Sequence, residues 1–590
     1  MSDRMNQAKH ASLGALFIFA ALGVAGLGVS ACRGKTDPGS SANADSNSDT
    51  APTSERIEID LFAFGRQLGT VAPCGCTADP LGGLQYAFGY IEDESQAGRR
   101  LIVEPGSFLF PDPDGPEGPV GEAAWAQAKE RARLLHTRFS QLDGLVSGLG
   151  PTDVAAPEAG LAALEQFPLP RVLANIDADA APIAGVERVR VIQLGHGLEA
   201  TVTSVVDPSM VEGARTRWAE AFPAITDPLP ALQRLAPQMA EADLQVVVVN
   251  GPRSLAEDIA RELEGVDVVV VGGEFHNPDR ARLGTAPTFV GGAWILEPGD
   301  RAQSLAHLTL SLAATVPEGS LPAEWTVIPP QSQREAELVR VVEKLAKFAG
   351  DPTADARFIG RLEDERDQLA AALENPEIDP AIAVAVIPAQ TKVSCRLPED
   401  AAAQTALRDY DGWVAEKNRG LFAGVHAPAP AEGEAGYAGI DACADCHEEA
   451  VATWNKSVHA RAYETLVTAN KQFDLSCVNC HVTGFRLPGG SEVVENEGLQ
   501  SVQCEQCHGP GSLHVEDPST DNIRLEAPAS VCLSCHTPEH SDTFDYEPYL
   551  RDILDTGHGA TARAALGEGE TAAILRAAAV EAAGGGCKKM

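Results

Sequence analysis

The sequence predicts a multidomain protein: an N-terminal α/β layered domain over residues 56–330, a helical connector with one strand over 331–423, and a C-terminal domain over 437–560 that is mainly α or irregular. Three observations predict it. From Arg56 to about Val316, short apolar runs alternate with helical patterns, as strands layered against helices do. Over 333–375 apolar residues recur at helical spacing within a charged stretch. Beyond Tyr437, cysteine and histidine recur in one fixed short pattern, in a segment too short to build a conventional core.

The chain has 590 residues, 44% hydrophobic and 22% charged, which is ordinary for a soluble globular protein and, at ~100–200 residues per domain, allows three to five domains. Net charge is −39, from 45 basic and 84 acidic side chains. A surface this acidic repels phosphate backbones, which argues against nucleic acid as a partner, and it attracts basic partner proteins. Solubility, or adaptation to saline surroundings, accounts for the same charge.

Residues 1–32 read as a targeting segment. Arg4 and Lys9 give a positive start, an apolar run follows over 13–31, and the run ends in Val29-Ser30-Ala31-Cys32. A cysteine directly after small residues resembles a bacterial lipoprotein box. The resemblance implies that Cys32 is lipidated and becomes the new N-terminus, leaving the body at the periplasmic face of the inner or outer membrane, or at the cell surface. An uncleaved membrane anchor is the alternative. No later segment offers ~18 consecutive apolar residues. Residues 33–55, rich in Ser, Asp, Asn, Thr and Pro, read as a disordered tether.

In the α/β domain, 57–64, 100–103, 144–148, 186–194, 199–206, 244–250, 266–272 and 307–312 read as strands, and 122–139, 229–241 and 254–264 as helices. The order resembles a calcineurin-like metallophosphoesterase domain of the five-prime nucleotidase kind. The resemblance rests on Glu104-Pro105-Gly106-Ser107 where that family has Gly-Asp, and on Gly150-Pro151-Thr152-Asp153 where it has Gly-Asn-His-Asp. Asn175 follows a strand, Asn250 stands where a strand ends in His, and Gly272-Gly273-Glu274-Phe275-His276 stands where Gly-His-x-His is expected. A two-metal hydrolase needs Asp, Asn and His ligands to hold its ions and create the attacking hydroxide. Here Ser107 replaces the bridging Asp, Pro151 and Thr152 replace Asn-His, and only His276 and Asp153 survive. The domain is therefore expected to be degenerate and non-hydrolytic, used for docking or sensing.

In place of the first metal motif stands Pro73-Cys74-Gly75-Cys76, on a Gly-rich loop after the first strand, where ligands commonly bind in such sheets. Three readings of Cys74 and Cys76 stay open: a metal or redox site completed by His276 or Asp153, a disulfide from one of them to Cys395 in an oxidising compartment, or a structural turn.

Leu338, Val341, Val342, Leu345 and Phe348 set the helical spacing of the connector, 382–397 is strand-like, and 401–419 is another helix. Residues 424–436, rich in Ala, Pro, Glu and Gly, form a linker. After 560 an Ala-rich helix runs to about 583 and the tail carries Cys587, which has no visible partner.

Eight of the 13 cysteines fall into one pattern: Cys443-x-x-Cys446-His447, Cys477-x-x-Cys480-His481, Cys504-x-x-Cys507-His508 and Cys532-x-x-Cys535-His536. C-x-x-C-H is the attachment signature of c-type haem. Two thiols on one short helical turn reach the two vinyl groups of one haem, and the adjacent imidazole points at the iron from the proximal side. Chance occurrence of one such motif here is on the order of a hundredth, so the pattern predicts four haem c groups and a multihaem cytochrome c domain. Zinc ribbons also use C-x-x-C pairs, but here every pair is followed at once by His. Such short two-residue loops are poor disulfide staples.

The flanking segments carry a second resemblance. Tyr437-Ala438-Gly439, Trp454-Asn455-Lys456-Ser457-Val458-His459, Cys480-His481-Val482-Thr483-Gly484, His508-Gly509-Pro510-Gly511-Ser512-Leu513-His514 and Gly557-His558-Gly559 are similar to the tetrahaem cytochrome c-554 family of nitrifying bacteria. The resemblance covers 437–559 and implies mostly bis-His irons, with His459, His514 and His558 as distal ligands and at least one iron able to be five-coordinate. His540 reads as a surface or supporting residue. Four irons and three distal candidates imply one open or differently ligated haem.

The leading expectation is an exported, lipid-anchored electron carrier serving redox partner proteins. The alternative is a multihaem oxidoreductase acting on a small nitrogen or sulfur compound at an open haem or at Cys74/Cys76. An active phosphoesterase fused to a cytochrome is a third, weaker reading.

Overall fold

The structure, a computed structural model, describes residues 56–73, 77–112, 121–155, 160–177, 179–180, 182–212, 222–273, 283–348, 353–374, 376–537, 540–554 and 556–587. Cys32, Cys74, Cys76 and His276 lie outside the described residues.

The α/β part is built on two sheets. The first has the order β13 (Thr326–Val327), β14 (Val384–Lys392), β12 (Ser304–Leu312), β1 (Ile57–Ala63), β2 (Arg100–Glu104), β3 (Leu145–Gly148), β4 (Arg171–Val172), β5 (Val186–Glu187). The second runs β10 (Gly284–Val290), β11 (Ala293–Pro298), β9 (Val268–Val271), β8 (Leu244–Asn250), β7 (Glu199–Val206), β6 (Arg190–Gln193). Strands β1 to β5 are mutually parallel, as are β7, β8, β9 and β11.

Alternation explains the layering. Side chains along a strand point to opposite faces. Ile59, Leu61 and Ala63 of β1 therefore meet Val246, Val248, Val268 and Val270 of the other sheet in a shared inner core. Phe62 and Phe64 point outward onto helices Leu84–Glu94, Gly121–Phe139 and Ala401–Phe422. Val247, Val249, Val269 and Val271 point the other way, onto helices Pro228–Met239 and Arg253–Glu262. The result is four layers, helix–sheet–sheet–helix. Strands buried on both faces read as unbroken apolar runs, which is why Leu244–Asn250 is legible to the residue.

Three differences from the sequence reading have physical causes. Residues 186–194 were expected as one strand, yet the run divides: β5 joins the first sheet and β6 the second. Arg188, at the crossing, donates to the carbonyl of Ala174 at 2.8 Å. The β10–β11 hairpin went unread because β10 contains Pro287 and a register irregularity between Thr285 and Thr288. Proline suits an edge strand, and β10 is one. The 331–423 segment also does more than connect. Its helices Gln331–Phe348 and Ala356–Glu374 form an exposed hairpin, but β14 pairs along all of β12, and Ala403, Leu407, Tyr410 and Val414 pack into the outer core. A buried chain fixes this strand: Thr391 donates to the Tyr90 hydroxyl at 3.0 Å, Tyr90 lies 3.1 Å from His307 Nδ1, and His307 Nε2 lies 2.9 Å from Asp60.

Beyond residue 437 the helices are short: Ile440–Ala444, Glu448–Trp454, Ala462–Thr468, Cys504–His508, Ser512–Glu516, Ala529–Cys532, Tyr546–Ile553, Ala560–Ala565 and Ala572–Ala582. The apolar core belonging to this region is small, centred on Val478, Val482 and Val493 with Phe422 reaching in from the long helix. Buried polar side chains brace the loops instead. Glu505 accepts from the amides of Ala438, Gly439 and Gly511 at 2.7–2.8 Å. Gln503 accepts from Ile440 at 2.8 Å. This region and the α/β part belong to one unit, Ser54–Met590. Among the described residues no helix is long and apolar enough to cross a membrane.

Candidate haem-binding site

Each C-x-x-C-H motif is wound into a helical or 3-10 turn. The His447 amide donates to the Cys443 carbonyl at 2.9 Å and His536 to Cys532 at 2.8 Å. His481 closes on Val478 at 3.0 Å, and Cys504–His508 is itself a helix. Residues three and four apart share one side of such a turn, so the geometry gathers two thiols and an imidazole on one side of each motif.

The described histidines then pair across the region. The ring centroids of His447 and His514 lie 6.4 Å apart with planes 23° from parallel. Those of His459 and His536 lie 6.2 Å apart at 58°. Two imidazoles sharing one iron through Nε2 have centres about 6 Å apart, because each metal–nitrogen bond is ~2 Å and each centre lies ~1 Å behind its nitrogen. Both pairs fit. The supporting hydrogen bonds fit as well. Nδ1 of His481 donates to the Ala462 carbonyl at 2.6 Å, that of His508 to Arg524 at 2.7 Å, and that of His514 to Ser519 at 3.0 Å, while Nδ1 of His536 lies 3.0 Å from Ser541 Oγ. An imidazole held at Nδ1 presents Nε2 to a metal in a fixed orientation. Burial, and then the charge of His536, push His459 down to about 4, so it is neutral at physiological pH, as a ligand must be.

Contacts between motifs set their arrangement. Helices Ile440–Ala444 and Cys504–His508 touch, bringing the first motif to the third. The Cys480 thiol lies beside that of Cys535 and pulls it down to about 7, which places the second motif next to the fourth. The helices carrying Cys507 and Cys532 also touch. His558 sits in the turn Thr556–His558, whose Gly557 packs on Ala450.

The α/β part grips one side of this cluster. Gln127 donates to Asp474, Asn418 donates to the Phe473 carbonyl at 2.8 Å, and Lys471 pairs with Asp411 at 3.0 Å, all just ahead of Cys477. Asp542 accepts from the Ala78 amide at 2.9 and 3.2 Å. Cys395 and Cys587 form a disulfide with Cα atoms 5.8 Å apart. This corrects two expectations. Cys395 is not the partner of Cys74 or Cys76, and Cys587 is not free. The terminal helix Ala572–Ala582 returns to the α/β part, where Arg396 donates to the Gly585 carbonyl at 2.7 Å and Arg576 to Thr77 at 3.2 Å. Export together with an even remainder of cysteines once the four motifs and Cys32 are set aside was the available signal.

At the strand ends of the α/β part, Asp153 is fully buried and accepts from four amides, those of Ser107, Phe108, Leu109 and Gly150, at 2.7–2.9 Å. It holds a turn, which corrects its reading as a ligand beside Cys74 and Cys76. Glu104 accepts from Gly106 and Ser147, and burial followed by the charge of Asp153 holds its carboxyl well above the ordinary range. Asn175 bridges backbone, its amide donating to Val206 and Thr226. Ser107, Thr152 and Asn250 are buried alongside. Among the described residues no group of three or more His, Cys, Asp or Glu is arranged to hold a metal ion directly.

The motifs and their paired imidazoles define the C-terminal region as a c-type cytochrome domain that binds haem c. Residues 442–509, spanning the first three motifs, match the family described as Cytochrome c554 and c-prime, so this region carries a cytochrome c554 domain. It is 33% identical over 94 residues to cytochrome c-554 of Nitrosomonas europaea, an alignment covering 13% of this chain and 40% of that protein. The α/β part is similar to SoxB sulfate thiohydrolase of Thermus thermophilus (16% identity, TM-score 0.31, covering 42% of this chain and 53% of that one). It is also similar to a 5'-nucleotidase of Staphylococcus aureus (14%, 0.33, 53% and 58%) and to the NAD nucleotidase of Haemophilus influenzae (12%, 0.31, 44% and 54%).

Proposed function

We propose that this chain is an exported, lipid-anchored cytochrome carrying four haem c groups that passes electrons between partner proteins, and that its α/β domain serves docking or sensing and not hydrolysis. Pairing of His447 with His514 and of His459 with His536 at the separation two imidazoles take on one iron carries the reading. Bound haem would supply one-electron redox chemistry. The protein's own part is to hold and orient. The thiols of each turn anchor the macrocycle, Ala462, Arg524 and Ser519 fix the ring planes of their histidines, and contacts of the first motif with the third and the second with the fourth keep the groups close.

The non-hydrolytic reading is supported by the donors at the strand ends: Asp153 is occupied by four amides, and Ser107, Thr152 and Asn250 offer no charge. Exposed Asp441, Asp445, Glu448 and Glu449 surround the first motif, and this favours a basic redox partner there.

The test is a pyridine haemochrome assay and intact mass of protein matured in a host competent for cytochrome c assembly. Four haems per chain are expected, with lipid on Cys32. Colourless protein without added macrocycles would refute the reading. Metal-dependent release of phosphate from a nucleotide would refute the account of the α/β domain.

A further inference from the structure

We propose that Tyr90 is a one-electron redox site of the α/β part: a strong oxidant takes an electron from its ring while the phenol proton crosses to His307. The inference stands on the α/β part alone and does not depend on the haem count.

Hydrogen bonds fix where the protons are. Asp60 Oδ1 receives the Thr309 hydroxyl at 2.9 Å and lies 2.9 Å from His307 Nε2, so Nε2 carries the imidazole proton and Nδ1 is bare. Thr391 Oγ1 donates to the Tyr90 hydroxyl at 3.0 Å, so the phenol gives its own proton to Nδ1, 3.1 Å away. Tyr90, His307 and Asp60 are all buried. They come from three elements, helix Leu84–Glu94, β12 and β1. Register sets the pairing of the strands: Thr309 stands opposite Asp60, and His307 opposite Phe62.

A base backed by a carboxylate and aimed at a hydroxyl is the constellation that activates a hydroxyl. Attack on a substrate would need an open hydroxyl. Here Thr391 occupies one side of it, and the Phe62 ring lies over the imidazole at 4.1 Å and edge-on to Tyr90 at 5.9 Å. The buried hydroxyl is closed to a substrate, whereas an electron needs no opening. Burial raises the phenol to about 12, so it keeps its proton until the electron leaves. A ring that lost the electron alone would be a cation in an apolar site, and transfer to Nδ1 avoids this.

The step balances. Tyr90 loses one electron to the oxidant and one proton to His307, giving a neutral phenoxyl radical and an imidazolium that lies against the Asp60 carboxylate. The oxidant, a peroxyl radical or a high-potential metal complex, is reduced by one electron. A purely structural link would need neither a base nor a buried carboxylate, whose desolvation is costly. Two other tyrosines show the contrast. Tyr546 donates to the Ala527 carbonyl, and Tyr549 meets the hydroxyls of Ser541 and Thr543, groups that do not take up a proton as an imidazole does.

The test uses the fully oxidised holoprotein, treated with photogenerated tris(bipyridyl)ruthenium(III) and frozen for EPR. Wild type is expected to give a neutral tyrosyl signal, and Tyr90→Phe to lose most of it. His307→Gln offers an amide oxygen that still accepts the phenol's hydrogen bond but cannot take its proton, so it should lose the signal as Tyr90→Phe does. A merely structural role would leave the signal of His307→Gln at the wild-type yield. Equal yields in wild type and Tyr90→Phe overturn the proposal, as do equal yields in wild type and His307→Gln. If His307→Gln does not fold, high-field EPR of wild type decides. A hydrogen bond from an imidazolium lowers the largest g value of the radical, and the g value of an unbonded phenoxyl overturns the proposal.

Discussion

The Cys395–Cys587 bond offers the most quantitative check on how the two parts of the molecule are joined. The perturbation is Cys395→Ser with Cys587→Ser. The bond closes a loop whose ends are 192 residues apart. Loop-closure entropy for that length gives a ceiling of about 5 kcal/mol, and native disulfides typically realise about 2–4 kcal/mol. The tail is held mostly at its surface. The helix Ala572–Ala582 has no buried residue, and its ties include Arg396 to Gly585, Arg576 to Thr77, and the Ala573 amide to Asp552 at 2.8 Å. Each such bond is worth about 0.5–1.5 kcal/mol net, so without the crosslink the tail frays locally before the cores respond. The assay is amide exchange over 572–587 combined with denaturant unfolding followed at the haem bands. The double variant should lose protection across the terminal helix and unfold at lower denaturant. Unchanged protection, or peptide mapping that finds Cys395 and Cys587 as free thiols in oxidised protein, would refute the reasoning.

Three further outcomes are expected. Gln127→Leu leaves the buried Asp474 carboxylate and the Leu475 amide short of a partner and should cost about 1–3 kcal/mol, read as a lower unfolding midpoint with haem content unchanged. Asp267, held at about 6 mainly by burial, has a folded pKa above its unfolded value, so its contribution is fully present below pH ~4 and is lost as pH rises through ~6; Asp267→Asn should therefore add about 1–3 kcal/mol at pH 7.5 and nothing at pH 4, measured by urea unfolding at both. Glu448→Lys with Glu449→Lys should slow reduction by a small basic electron donor and weaken its ionic-strength dependence in stopped-flow, whereas equal rates would move the docking face elsewhere.

Much of this was legible from residue order, and the remainder fails for identifiable reasons. Buried parallel strands announce themselves because both faces need apolar side chains, as in Val246 to Val249. Strand β4, two residues long, is held by its neighbours and leaves no local signature, and β5 reads only as the start of a run that the fold divides. The proximal histidines follow from motif spacing, because the chemistry acts within one turn. His514 and His459 came from resemblance, and their assignment to His447 and His536 is a long-range matter that spacing alone does not encode. Asp153 looked like a ligand because an aspartate after Gly-Pro-Thr at a strand end suits one. Only the fold shows the loop at Ser107 to Leu109 arriving to fill its oxygens. Cys74, Cys76 and His276 lie outside the described residues; of the readings of the two cysteines, the pairing with Cys395 and the help of Asp153 are removed.

The junction also bears on why such a cytochrome carries an α/β partner. Gln127, Asn418 and Asp411 meet 471–475, directly before the second motif, and Ala78 meets Asp542, just after the fourth. The bond to Cys587 closes over the same part. These ties converge on the second and fourth motifs. The first motif, in contrast, lies within an acidic rim of Asp441, Asp445, Glu448 and Glu449. A charge carrier that gives up electrons to any oxidant is of little use, and covering part of its surface limits where exchange occurs. On the proposed function, the α/β domain would do this by contact alone: it shields the second and fourth haems and leaves the first as the port. The port then has a charge of its own to select partners, and that selection requires no hydrolytic chemistry at the strand ends where Ser107 and Asn250 stand.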